Sequence, residues 1–118
     1  MTIEEFFAGF PESRVLFDAV WAALQPIGPA QVRVSKSQIA FWNRTAFAWV
    51  WVPARYLHGK TAPLVLSLAF RARKSSSRWK QVVEPHPGQF MHHLELYSAG
   101  EVDEEVLGWL REAWLAAE

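Results

Sequence analysis

The sequence predicts an α+β fold: an antiparallel sheet of four to five strands, with N- and C-terminal helices packed on one face. Three observations lead there. Apolar residues recur at helical spacing only near the two ends of the chain. Between them they alternate with period two, the signature of half-buried strands. Proline and glycine clusters punctuate the two regimes. The chain has 118 residues, the size of one domain, here residues 1–118. Apolar residues make up 51 % and charged residues 20 %, which excludes global disorder.

The elements follow in order. Thr2 and Glu5 have the spacing of a capping box, which satisfies two orphan donors at a helix start. Ile3, Phe6 and Phe7 give that first helix a short apolar face, interrupted by Gly9 and Pro11. A second helix is predicted over 11–24, with Leu16, Val20 and Leu24 on one stripe and Phe17 and Trp21 beside it. Pro11 suits its first turn, and Pro26-Ile27-Gly28-Pro29 ends it. Val32 and Val34, then Ile39 and Phe41, alternate as strand residues. Asn43-Arg44-Thr45 reads as a tight connection into a strand over 46–52 that Pro53 terminates. A loop over 54–63 leads to a strand over 64–71. Residues 73–78, basic and serine-rich, are expected to be exposed and mobile. Trp79, Val82 and Val83 fit a helical turn or a short strand equally well. Pro85-His86-Pro87-Gly88 reads as a turn before a last strand over 89–97. Ser98 and Glu101 repeat the capping-box spacing ahead of a C-terminal helix marked by Val102, Val106, Trp109, Leu110 and Ala113. Asp103, Glu104 and Glu105 lie in its first turn, where the helix dipole favours negative charge.

Alternation divides the sheet into two faces. The heavy face collects Ile39, Phe41, Phe47, Trp49, Trp51, Leu64, Leu66, Leu68, Phe70, Phe90, Leu94 and Leu96, and is assigned to the core beneath the helices. The lighter face collects Ala40, Trp42, Ala46, Ala48, Val50, Val52, Val65, Ser67, Ala69, Arg71, His93 and Glu95. It is too apolar for a purely solvated surface. A further element, a second copy of the chain or a shallow ligand groove would each account for it.

The ordered segments Lys36-Ser37-Gln38-Ile39-Ala40-Phe41, Phe47-Ala48-Trp49-Val50, Trp79 to Pro85, Pro87-Gly88 to His92-His93-Leu94-Glu95-Leu96, and Asp103-Glu104-Glu105-Val106 to Trp109-Leu110-Arg111-Glu112-Ala113 carry a resemblance over nearly the whole chain. Together they resemble a family of small bacterial domains of unknown function, related to domains labelled "predicted transport protein". Such domains occur alone or attached to others, which implies a binding module more than a self-contained enzyme. The resemblance implies no residue roles.

Charge carries the clearest functional signal. Twelve basic and twelve acidic residues balance, but they are segregated. Residues 31–83 hold ten basic side chains and no acid, between acidic ends of net −3 (1–30) and −7 (84–118). A basic block is the electrostatic footprint of a phosphate-bearing partner. It is also what acidic helices beside a basic sheet would produce. Trp42 stands near Arg44, and Trp79 lies between Arg78 and Lys80. Rings interleaved with cations serve nucleic acids, planar anionic metabolites and protein interfaces alike. Trp42, Arg44, Arg71, Arg73, Lys74, Arg78, Trp79 and Lys80 are therefore the candidate ligand-binding residues.

Catalytic and metal signatures are sparse. There is no cysteine, hence no thiolate metal site or cysteine nucleophile. The serines lack a nucleophile-elbow context and the glycines form no phosphate loop. His92 and His93 point to opposite faces of a strand, so a zinc site short of three converging ligands is not expected. A buried structural His92 and an exposed His93 are the simplest assignment. No cofactor is implied. The expectations are an uncharacterised, non-catalytic binding module for an anionic partner, either nucleic acid or a phosphorylated or carboxylated metabolite. The alternatives are a homodimer or protein-interaction domain burying the lighter face, and an enzyme using His86, His92 or His93 with Glu84 or Glu95. No run of apolar residues reaches membrane-spanning length, and the acidic start lacks the basic opening of a signal peptide, so a cytoplasmic protein without membrane contact is expected.

Overall fold

A computed structural model describes residues 1–118. Its sheet has six antiparallel strands, β1 (Gln31–Val34), β2 (Ile39–Trp42), β3 (Ala46–Trp51), β4 (Leu64–Phe70), β5 (Gln81–His86) and β6 (Gln89–Leu96), in the order β1-β2-β3-β4-β6-β5. The expected α+β class and antiparallel sheet hold, with six strands in place of four to five. The additional strand is β5, which runs through Pro85 and His86 where the sequence reads as a turn. Proline fits there because β5 is an edge strand, and the register breaks between Val83 and His86.

Three helices accompany the sheet: α1 (Ile3–Phe6), α2 (Pro11–Leu24) and α3 (Glu104–Ala116). The Thr2–Glu5 capping box forms, with Thr2 N–H donating to Glu5 and Glu5 N–H to the Thr2 hydroxyl. Pro11 opens α2, and Leu16, Phe17, Val20 and Leu24 are its buried stripe. The second capping box closes a separate 3-10 turn over Ala99–Glu101. The true cap of α3 is Asp103, whose carboxylate accepts from Val106 N–H at 3.1 Å. The C-terminus is fastened to the sheet, because the Ala117 carbonyl accepts from the backbone N–H groups of both Arg44 and Thr45. No helix is long and apolar enough to cross a membrane.

Helices α2 and α3 cover one sheet face, whose buried residues include Ile39, Phe41, Ala48, Val50, Leu64, Leu66, Leu68, Leu94 and Leu96. From Ala48 onward strand β3 is thus reversed against the expected face assignment, while Phe47 lies in the core as expected. Ala48 and Val50 lie in the core as register partners of Phe41 and Ile39, while Trp49 pairs with Ala40 and Ser67, and Trp51 with Val65, on the opposite face. The reason is a register shift at Phe41/Trp42, where Trp42 aligns with Ala46. Phe47 and Ala48 are both buried in the core as a result. Beyond such a shift every alternating side chain changes sides. The uncovered face therefore mixes small residues with large ones: Ala40, Val65, Ser67 and Ala69 share it with the half-buried Trp42, Trp49, Trp51, Met91 and His93.

Candidate functional site

The eight candidate residues divide between the two faces of the sheet. Lys74, Arg78 and Trp79 pack against α3. Arg78 donates to Asp103 at 3.0 Å, to Glu105 at 2.9 Å and to the Glu101 carbonyl at 2.9 Å, and lies over the Trp109 ring. The Glu105 hydrogen bond raises the Arg78 pKa further, with Asp103 adding to it. Asp103 is held below the usual carboxylate range, chiefly by the Val106 N–H and then by Arg78. Lys74 pairs with Glu112. The Trp79 ring stacks on Trp109 with centroids 4.1 Å apart, and its indole N–H donates to the Lys74 carbonyl at 3.0 Å. The segment 73–78, expected to be mobile, is tied to α3 by these bonds. For this part of the basic block, acids of the C-terminal helix supply the counter-charge.

Arg44 and Arg71 are exposed near the end of α3, Arg71 reaching toward the Ala116 carbonyl. Arg71 borders a hollow of about 240 Å³ walled by alanines and Gly88. Arg73 is exposed and lies over Phe90. On the uncovered face, Trp42 carries the Arg33 guanidinium stacked at 3.7 Å from its ring centre. Lys80 is exposed at the other side of that face. Strands β2 and β5 are four places apart in the sheet, roughly 19 Å at about 4.8 Å per strand, so Trp42 and Lys80 do not meet.

What gathers around Lys80 is a groove of about 480 Å³. The register places its floor. One row across the sheet is Trp51, Val65 and Glu95, and from the next row, Trp49, Ser67, His93 and Gln81, the groove is lined by His93 and Gln81. Leu57, His58, Lys60 and Thr61, from the connection between β3 and β4, border one side, and Lys80 and Gln81, at the start of β5, border the other. Neither Lys60 nor Lys80 has a salt-bridge partner, and Glu95 is the single carboxylate lining the groove.

The two consecutive histidines have different environments. His92 is fully buried, edge-on to Phe70 and Trp79 at 4.9 Å from each. Its Nε2 accepts from Lys74 N–H at 2.9 Å, which requires Nδ1 to carry the proton it donates to the Phe90 carbonyl at 3.1 Å. Burial lowers its pKa, against the Phe90 carbonyl, and Arg73 and Lys74 add to the lowering. His93 faces the groove, with Nδ1 2.6 Å from the Ser67 hydroxyl. Ser67 is 3 % exposed and has no other partner. Leaving a buried hydroxyl hydrogen without an acceptor is costly, which favours Ser67 donating to Nδ1 and the ring proton residing on Nε2, a donor not used by the chain. Burial lowers the His93 pKa as well, so the ring is neutral near pH 7.

Of the groups considered for acid–base work, the structure brings His93 and Glu95 to one face. Glu84 is engaged in the β5–β6 turn, accepting from Gly88 N–H at 3.1 Å. His86 pairs with Gln89 at the hairpin end. No cluster of three metal-ligating side chains exists. The groove residues Trp51, His58, Lys60 and Gln81, and the pairing of Ser67 with His93, were missed by the sequence reading, which named His93 only for acid–base work. Ser67 and His93 do alternate onto the same face, which is a usable signal. Their adjacency needs the β4–β6 pairing, which no local pattern contains.

The chain matches the description "Domain of unknown function (DUF5655)" over residues 3–117 and belongs to that family. No curated protein and no solved structure matches it.

Proposed function

We propose that this domain is a binding module that holds a small anionic molecule in the groove on the uncovered face of its sheet. The observation that carries the reading is the groove at Lys60 and Lys80: two cations without an acidic partner, a tryptophan in the floor and a buried-serine-held histidine donor. Its volume falls in the range of small-molecule sites, and its few polar groups converge on one space. Of the cations on the basic block, Lys74 and Arg78 are occupied by α3. Arg44, Arg71 and Arg73 lie away from Lys60 and Lys80 and do not line the groove. A small phosphorylated or carboxylated metabolite suits this arrangement better than a nucleic-acid backbone, which calls for a continuous basic track.

The rival reading is a homodimer through the same face, which would shut the groove. The test is thermal unfolding of the chain with a panel of small phosphates and aromatic carboxylates. It is paired with the double variant Lys60→Glu and Lys80→Glu, and with mass in solution. At least one anion class should raise the Tm of the monomer, and the variant should weaken that ligand about tenfold or more. A dimer that persists under titration, or an unchanged response in the variant, overturns the proposal.

A further inference from the structure

Resting on the groove reading above, we infer that the ligand is a nucleotide, a phosphate monoester carried on a flat heterocycle, and that the groove recognises the base as well as the phosphate. The cations lining the groove are lysines, and no arginine is among them. Two ammonium groups lining one space match the roughly −2 charge of a phosphate monoester better than the single charge of a carboxylate, and lysine serves a phosphate as a point charge. That favours phosphate over carboxylate for the anion.

The base end rests on Glu95. Its carboxylate has no hydrogen-bond or ion-pair partner within the chain, yet it lines the same groove as Lys60 and Lys80. A ligand that was only an anion would be repelled by it. A ligand whose far end offers N–H groups would be drawn to it, because an ionised carboxylate can only accept. The neighbouring groups complete a mixed edge. Gln81 offers both donor and acceptor, and His93 offers the Nε2–H that Ser67 fixes in place. Trp51 lies in the same row as Glu95, two strands away, roughly 10 Å at the spacing of a sheet. Its ring supplies a π-face on which a heterocycle stacks regardless of base identity. Stacking, a polar edge and a phosphate site thus converge in one space. A free nucleotide and the terminal nucleotide of a strand share this chemistry.

The test is calorimetric titration of the full chain with the four common ribonucleoside monophosphates, the matching nucleosides, ribose 5-phosphate, benzoate and a 5′-phosphorylated dinucleotide. The Trp51 indole N–H is followed by NMR. One or more monophosphates should bind at least about tenfold tighter than both its nucleoside and ribose 5-phosphate, and should shift the Trp51 resonance. Glu95→Gln should erase the preference for bases with an exocyclic amine over uracil. Tighter binding of the dinucleotide would identify a strand end, and equal binding a free nucleotide. If benzoate or ribose 5-phosphate binds as well as any nucleotide, base recognition is overturned while the anion groove stands. If nothing binds, both fall.

Discussion

His92 and His93 are neighbours in sequence, on one strand, and their roles are opposite. The first sits under the helices with both ring nitrogens used by the backbone and aromatic rings on either side. The second sits on the uncovered face with one nitrogen held by Ser67 and one left as a donor. The tryptophans divide the same way, Trp79 against α3 and Trp51 in the groove floor. In a strand, a step of one residue changes the face, and the face decides whether a polar or aromatic side chain completes the core or meets a ligand. Residue type alone does not distinguish them.

The sharpest test of that division replaces the tryptophans. Trp79→Ala removes a ring packed on Trp109, His92 and Phe70 and orphans the Lys74 carbonyl. It should cost about 3–4 kcal/mol of unfolding free energy in urea titration. Trp51→Ala removes a half-buried ring whose aromatic neighbour is Tyr56; it should cost less, about 1–2 kcal/mol, and abolish the anion-dependent rise in Tm. Equal destabilisation by the two variants would break the comparison.

The histidines give a smaller effect of the same kind. His92→Ala opens a cavity between Phe70 and Trp79 and leaves the Lys74 N–H without its acceptor. A loss of about 2–3 kcal/mol is expected. His93→Ala leaves the buried Ser67 hydroxyl without its partner, so it should cost about 1–2 kcal/mol, less than His92→Ala, and weaken ligand binding as well. A ligand affinity unchanged in His93→Ala would remove this histidine from the site.

Much of the fold was legible because local chemistry and tertiary structure agree there. The Thr2–Glu5 cap, Pro11 at the start of α2 and the stripe Leu16, Val20 and Leu24 each follow from residues within a few positions. The faces of β3 were not legible. Ala46 to Trp51 alternates small with aromatic, and burying the large set is the default choice. The shift opposite Trp42 instead puts Ala48 and Val50 beneath the helices. Nor was β5, whose pairing with β6 tolerates Pro85 only because no strand lies beyond it. The candidate site was partly legible for the same reason. Lys80 is flagged by composition, and His93 and Ser67 by parity. The groove that unites them with Lys60 depends on the connection over 52–63 lying beside strands that are distant in sequence.

The smallest effect is a pH dependence, and it separates the two histidines by the share that each contributes. Burial lowers both pKa values below the ordinary 6.5. In the unfolded chain each ring takes up its proton as pH falls through about 6.5, while the folded chain resists until lower pH. The unfolded state then binds more protons, so unfolding free energy declines as pH drops below about 6.5, and is constant above it. Glu5 and Asp103, whose pKa values are also lowered, titrate below the window from pH 7 to 5 and leave it clear. Urea titrations across that window should show stability falling with acid in the parent chain. His93→Gln should retain only the share due to His92. A flat profile in the parent would mean that neither ring is held neutral, and the distinction drawn between the faces would lose its electrostatic half.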